Sequence, residues 1–247
     1  VIEHLIERGA LFVINHSAGK DSQAMTIKLR QLVPAAQLLL IHADLGEVEW
    51  DGNVEHIRAT APGLPLIVCR NENKTLLEMV ERRGMWPSPS QRQCTSDLKR
   101  DPIKREVRRY LKANPQFNGL VVNCMGIRAA ESPARSKQIP FQKIDANSVA
   151  GREWYDWLPI FDMTTGEVFD LIAQHGQEPH PAYKAGMSRL SCVFCIMASR
   201  ADLRTAALLK PELYRKYVEL EKKLGHTMSM ERKPLEEITG ILVDTSS

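Results

Sequence analysis

The run Ala10-Leu11-Phe12-Val13-Ile14-Asn15-His16-Ser17-Ala18-Gly19-Lys20-Asp21-Ser22 decides the reading of this chain. It opens with five apolar residues, as a buried strand does, and closes on small, hydroxylated and charged residues. A helical pattern, Asp21 to Val33, follows and stops at Pro34. Strand, small-residue turn and helix N-terminus together hold phosphate, because unpaired N–H groups and the positive end of the helix dipole converge on one point. Gly19 permits close approach of the backbone, Lys20 adds a point charge, and Ser17 and Ser22 add hydroxyl donors. Asp21 stands where a first-turn acid belongs. A Walker A loop is excluded: it needs glycine at Ile14 and Ser or Thr at Asp21.

Outward from that stretch the pattern repeats. Strands are expected at 37–43, 64–69 and 120–124, with helices at 2–8, 52–60, 74–83 and 165–175. Residues 84–90, with two prolines and a tryptophan, read as a loop, and 94–112 as a long basic helical region with a break at Pro102. Alternation of this kind predicts an α/β fold: an open, mostly parallel twisted sheet with helices on both faces. Ligands of such sheets sit beyond the carboxyl ends of the strands, where 16–22, 42–46 and 125–135 all fall. Past about residue 140 the alternation fades. An extended segment is expected at 154–161, a Pro-rich loop at 177–186, and helices over 199–225 with Pro211 in a first turn. We therefore expect a nucleotide-binding core over 1–145 and a mainly helical C-terminal part over 146–247, with a frayed tail from Ile241.

The 247 residues, 43% apolar and 26% charged, fit a globular protein with no membrane span, and the acid at Glu3 with no leading basic stretch argues against a signal peptide. A cytoplasmic location is expected. Five cysteines, with Cys192 and Cys195 spaced Cys-x-x-Cys, favour metal, cluster or redox use over a disulfide framework. Cys124 ends a strand and reads as an apolar core residue, with a persulfide carrier as the lesser alternative, and Cys69 reads as core. The segment 92–112 carries a net +5 while the whole chain carries +3. Arg100, Lys104, Arg105, Arg108 and Arg109 are thus candidate contacts to a nucleic-acid backbone, weighed against a solvated helix face.

Two further clusters bear on phosphate chemistry. Asp44 and Gly46, in His42-Ala43-Asp44-Leu45-Gly46, place an acid at a strand end suited to Mg²⁺ or a ribose hydroxyl, or simply form a turn. In Gly126-Ile127-Arg128-Ala129-Ala130-Glu131-Ser132-Pro133-Ala134-Arg135, Arg128 and Arg135 are suited to bidentate phosphate contact, and Glu131 to orienting one of them.

With the phosphate loop, the Asp-x-Gly and the Gly-x-Arg-x-x-Glu-Ser-x-x-Arg loop, the segments Cys94-Thr95-Ser96-Asp97-Leu98-Lys99, Pro102-Ile103, Pro179-His180-Pro181-Ala182-Tyr183 and Cys192-Val193-Phe194-Cys195 stand in one order. Together they resemble the phosphoadenosine phosphosulfate (PAPS) reductase family of the PP-loop, adenine nucleotide alpha-hydrolase-like superfamily, over residues 10 to about 200. Ala18 stands where that loop usually has glycine. The resemblance implies adenine-nucleotide contacts from Ser17, Ala18, Gly19, Lys20, Asp21, Ser22, Asp44, Gly46, Lys99, Arg128 and Arg135, with Lys20, Arg128 and Arg135 catalytic. It implies ATP with Mg²⁺ at Asp44, and a [4Fe–4S] cluster on Cys94, Cys192 and Cys195. Gln93 replaces one cysteine of the family's upstream pair, so bare thiols, or zinc with His180 or His226, are the alternatives.

No cysteine follows Cys195, whereas thioredoxin-dependent PAPS reductases carry a C-terminal nucleophilic one. The expectation therefore turns to an ATP pyrophosphatase that adenylylates an acceptor for sulfur transfer. The closest-looking branch is that of bacterial DNA phosphorothioation, which implies DNA as acceptor (RNA as the nearby alternative), a cysteine desulfurase as sulfur donor and a homo-oligomer as one arrangement. A sulfonucleotide reductase and a non-catalytic nucleotide-binding adaptor are the competing expectations.

Overall fold

The structure, a computed structural model, describes residues 1–244. In chain order the elements begin α1 (Ile2–Glu7), β1 (Leu11–Asn15), α2 (Lys20–Leu32), β2 (Leu38–Ala43), α3 (Asn53–Thr60), β3 (Leu66–Cys69) and α4 (Leu76–Arg83). A single turn, α5 (Gln93–Thr95), and a π-helical stretch, Ser96–Arg100, lead into α6 (Asp101–Ala113). Then come β4 (Leu120–Met125), β5 (Phe141–Lys143), β6 (Glu153–Trp157), α7 (Thr165–Gln174), α8 (Pro181–Lys184), α9 (Arg200–Leu209), α10 (Pro211–Leu224) and α11 (Leu235–Thr239).

The chain divides into two compact units, each assembled from separated stretches. The first comprises Val1–His42, Gly52–Cys69 and Ile103–His180, and the second Ala43–Asp51, Arg70–Pro102 and Pro181–Ser247. Residues 146–180, expected with the C-terminal part, group with the first unit because β6 pairs with β4 and β5 pairs with β6.

The first unit holds a six-stranded sheet in the order β3-β2-β1-β4-β6-β5. β1 pairs in parallel with both β2 and β4, and β4 pairs in parallel with β6, whereas β5 runs antiparallel to β6. The Leu/Ile/Val runs dictate the middle of the sheet. All of β2 is buried, and Leu11, Phe12, Val13, Ile14, Val121 and Val122 are nearly or wholly inaccessible, as strands covered on both faces must be. Helices α2 and α7 pack together in this unit, and Thr164 and Glu167 close a capping box at the start of α7.

The second unit is a helical cluster. Val48, Trp50, Met79, Val80, Trp86, Val193, Phe194, Tyr214, Tyr217 and Leu235 belong to one buried core drawn from all three of its stretches. Its elements obey local rules. Thr75 and Glu78 form a capping box on α4, Ser199 caps α9, Pro211 opens α10, and Gly225 ends α10 in the left-handed region. The break expected at Pro102 is instead a change of winding: the π-helical stretch ends and α6 starts with Pro102 in its first turn, where its missing N–H costs nothing. The tail expected to fray is tied down as far as it is described, with Tyr214 Oη donating to Ile241 O (2.8 Å) and Val243 N to Glu236 Oε1 (2.7 Å). Residues 245–247 lie outside the described residues. No described helix is long and apolar enough to cross a membrane.

Candidate nucleotide site and cysteine cluster

β1 delivers the loop, and side chains lock the strand end. Asn15 Nδ2 donates to Asn123 Oδ1 (2.7 Å) and Cys124 O (2.8 Å), and Asn123 Nδ2 donates to Asp156 Oδ1 (2.9 Å). This polar chain ties the ends of β1, β4 and β6 together. His16, buried, comes next. Its Nδ1 accepts the Ala18 N–H (3.1 Å) and lies 3.3 Å from Ser22 Oγ. Ser22 Oγ donates to Gly19 O (2.8 Å) and accepts the Ser17 N–H (3.2 Å). The loop is therefore braced from inside, and Ala18 is held at φ +63°, a conformation that glycine adopts freely and alanine does not.

No described side chain caps α2, whose N-cap is Gly19. Its first-turn amides have no partner within the helix and present the positive end of the dipole, the arrangement expected of an anion site. Lys20, also buried, donates from Nζ to Asp21 Oδ2 (2.9 Å). The other oxygen of Asp21 accepts Arg128 Nε at 2.7 Å. Arg128 further donates to Met163 O (3.1 Å) and Thr165 Oγ1 (3.2 Å) and is only 2% exposed. Its guanidinium is thus engaged by the protein and holds the loop through Asp21, where the sequence suggested phosphate contact. Gly126 explains the close fit: a Cβ there would stand 3.1 Å from the backbone of Asp21. Glu131 Oε2 accepts the Arg128 N–H (2.9 Å) and pairs with Arg135, whose side chain is the more exposed of the two arginines. The expected orienting role of Glu131 thus falls on Arg135.

Sequence reasoning missed His16 and the Asn15–Asn123–Asp156 chain. Burial pushes His16 down to about 3, with the charges of His42 and His56 adding to it, so it is neutral at ordinary pH. Since Nδ1 accepts the Ala18 amide, the ring proton sits on Nε2, a buried atom with no hydrogen-bond partner among the described residues. The signal was present in the sequence as a histidine directly ahead of the loop, but nothing in its spacing distinguishes a brace from an ordinary core histidine.

In the second unit Asp44 Oδ1 accepts the Gly46 N–H (2.7 Å), with Gly46 at φ +66°, so the Asp-x-Gly is a turn, one of the two readings of its sequence. Cys94, Cys192 and Cys195 are half-buried, and all three act electrostatically on Lys99. Burial opposes the Lys99 ammonium, but Cys192, Glu49, Cys195 and Cys94 outweigh it and its pKa is raised. Burial pushes the Cys192 thiol up, against the pull of Lys99. Met197 N donates to Cys195 Sγ at 3.4 Å. The donor chemistry suits a thiolate-ligated centre. Nevertheless, among the described residues no three His, Cys, Asp or Glu side chains are arranged to hold a metal ion. That does not fit one zinc ion on His180 or His226; a cluster spreads its thiolates over several irons, and Cys94, Cys192 and Cys195 share one electrostatic neighbourhood with Lys99. His180 lies in the first unit, edge-on to His56 (5.2 Å). Cys124 is a core residue: it is fully buried, its thiol faces Val122 O (3.7 Å), and burial raises its pKa well above the ordinary value.

The residues of the basic segment have different surroundings within their own units. On α6, Glu106 pairs with both Arg105 (3.0 Å) and Arg109 (2.8 Å), and Arg108 lies close enough to Arg152 to lower the latter's pKa, second to burial. Arg100 instead lines a cavity of the second unit.

Comparison with known proteins shows the family. The phosphoadenosine phosphosulfate reductase domain family matches residues 12–198. An uncharacterised 37.8 kDa protein of Escherichia phage 186 is 31% identical over 157 residues, covering 64% of this chain and 45% of that protein. The chain spans about half the length of the curated relatives it matches. Among solved structures, phosphoadenylyl-sulfate reductase from Candida auris in a phosphate complex is 12% identical with a TM-score of 0.49, covering 73% of this chain and 80% of that one. FMN adenylyltransferase from Candida glabrata with FMN and an ATP analogue is 14% identical with a TM-score of 0.48, covering 75% and 54%.

Proposed function

The chain belongs to the phosphoadenosine phosphosulfate reductase family, and from that premise we propose that it is an ATP pyrophosphatase that adenylylates an acceptor for sulfur transfer. The observation that carries this reading is the uncapped N-terminus of α2 behind β1, with Lys20 at its first position and an internally braced loop before it. The α2 amides and Lys20 take the β- and γ-phosphates of ATP. Arg128 fixes Asp21, and with it the first turn, while Arg135 is the guanidinium available to the α-phosphate. An acceptor oxygen attacks the α-phosphorus in line. The α–β bridging P–O bond breaks and pyrophosphate leaves, its charge held by preorganised donors. A sulfur nucleophile then displaces AMP from the adenylylated acceptor. The acceptor is a nucleic-acid phosphate, DNA in the phosphorothioation reading. The outer sulfur of a cysteine desulfurase persulfide forms the new P–S bond as AMP leaves, and a second thiol then cleaves the S–S bond, releasing the phosphorothioate and leaving a disulfide on the donor side. No step is assigned to a metal cluster.

Pyrophosphate release from ATP, measured with and without DNA, tests the reading. Lys20→Ala should lower turnover about 100-fold, the usual cost of losing one preorganised donor to developing charge. Family membership also favours a second reading, reduction of a sulfonucleotide. Sulfite from PAPS with a thiol donor, and no pyrophosphate from ATP, would establish that one instead. Tight ATP binding without turnover of either nucleotide would make the chain an adaptor.

A further inference from the structure

Helix α4 ends at Arg83, and Gly84 at φ +72° turns the chain out of it. The following loop returns to bring two glutamines onto the Arg83 guanidinium, which donates to Gln93 Oε1 (3.2 Å) and to Gln91 Oε1. Both acceptors are neutral, so the guanidinium is oriented but keeps its full charge. Arg83 lines a cavity of about 580 Å³ together with Arg92 and Arg100, both exposed. No acid is among the residues lining this cavity. Asp97, in the same helical stretch as Arg100, pairs with Lys74 at 2.6 Å and accepts from Gln93 Nε2 at 3.2 Å, so it reaches Arg83 only through that glutamine.

A second cavity of about 520 Å³ shares Arg83 and Gln91 as wall residues. It differs in character: Met85 and Met230 line it and are 42% and 56% exposed, over a floor that includes Trp86, itself buried and stacked on Tyr217. Arg232 and His226 line it as well, and again no acid does. Each volume is of the size that holds a nucleotide-sized ligand and well beyond the need of one inorganic anion. A cationic cavity continued by an apolar one suits a polymer whose charged backbone and flat apolar bases alternate.

We propose that these adjoining cavities bind single-stranded nucleic acid. Arg83, Arg92 and Arg100 take phosphodiester oxygens, and the exposed thioethers of Met85 and Met230 take bases. As an assignment of the acceptor this rests on the adenylylation reading, whereas as a binding site it stands separately. Exposed bases distinguish the single strand from a duplex, which offers the apolar wall nothing.

The test is fluorescence anisotropy of a labelled single strand of about 12 nucleotides, within the usual site size of such grooves, titrated with the full chain at several salt concentrations. The wild type should bind. Changing the three arginines together to glutamine (R83Q, R92Q, R100Q) should weaken binding at least tenfold and flatten the salt dependence by about 2 in log–log slope, about 0.7 for each phosphate no longer neutralised. If the triple variant fails a circular-dichroism check of folding, the exposed pair R92Q and R100Q should still flatten the slope by about 1.4. Lys20→Ala should leave the oligonucleotide isotherm in place, which separates failure of this site from failure of the nucleotide site. The proposal is overturned by an unchanged isotherm in the folded arginine variants, by no binding of the wild type, by tighter binding of a duplex, or by equal displacement with equimolar pyrophosphate.

Discussion

Acidification should weaken the first unit through one residue. His16 is neutral in the fold, held down to about 3 by burial, whereas in the unfolded chain it titrates at its ordinary 6.5. Between those values the unfolded state binds a proton that the folded state refuses, so stability is lost as pH falls from about 6.5 towards 3. For these two values the loss between pH 7 and pH 5 is on the order of 2 kcal/mol, and it grows further below. His56, lowered to about 4 by burial and the neighbouring His180 charge, acts in the same direction, so the wild-type curve alone does not isolate His16. His16→Asn does: it keeps a short side-chain acceptor for the Ala18 amide and removes the titration. Urea unfolding of both proteins at pH 7, 6 and 5 should show the wild type losing about 2 kcal/mol more than the variant across that range. Parallel losses would refute the reasoning, since His16 would then be free to charge inside the fold.

Three further outcomes follow from the same geometry. Ala18→Gly should raise stability by about 0.5–1 kcal/mol, the relief of a left-handed alanine less the extra freedom of glycine in the unfolded chain; a lower urea midpoint would mean the loop does not hold that conformation. Arg128→Met should cost about 2 kcal/mol by removing its charged hydrogen bond to Asp21, which keeps Lys20, and in a double-mutant cycle with Asp21→Asn the losses should be clearly non-additive; a loss under about 1 kcal/mol by chemical denaturation would remove the clamp. Iodoacetamide at mildly alkaline pH, followed by mass spectrometry, should label half-buried Cys94 and Cys195 and spare Cys124 until denaturant is added; early labelling of Cys124 would reopen its role as a sulfur carrier.

Much of this arrangement is legible in the residues themselves. Apolar runs mark β1, β2 and β4 because parallel strands covered on both faces leave no polar position, and the loop after β1 is marked by its residue types. The short antiparallel β5 escapes notice because three residues carry no periodicity and its place at the sheet edge comes only from pairing with β6. The helices and caps of the second unit are visible one by one, but its composition from three stretches is not, because that depends on contacts between residues far apart in sequence. Arg128 and Arg135 look alike in the motif. Burial separates them, sending one guanidinium into the protein and leaving the other partly exposed, and spacing carries no record of that. Arg83 is hidden in the same way, since its significance lies in the cavity it lines with Arg92 and Arg100, which no motif records.

The composite second unit also constrains how the protein can be made. Val48 and Trp50 leave the ribosome well before their core partners Val193, Phe194, Tyr214 and Tyr217, and Val48 O accepts the Val193 N–H (2.9 Å) only once both exist. Because domains fold as units during synthesis, this one has to wait until the stretch carrying Tyr217 and Leu235 has been made. In that interval a valine and a tryptophan from its core are open to chaperones and to other nascent chains. Yield in an expression host will therefore depend on translation speed and chaperone supply as well as on the stability of the finished fold.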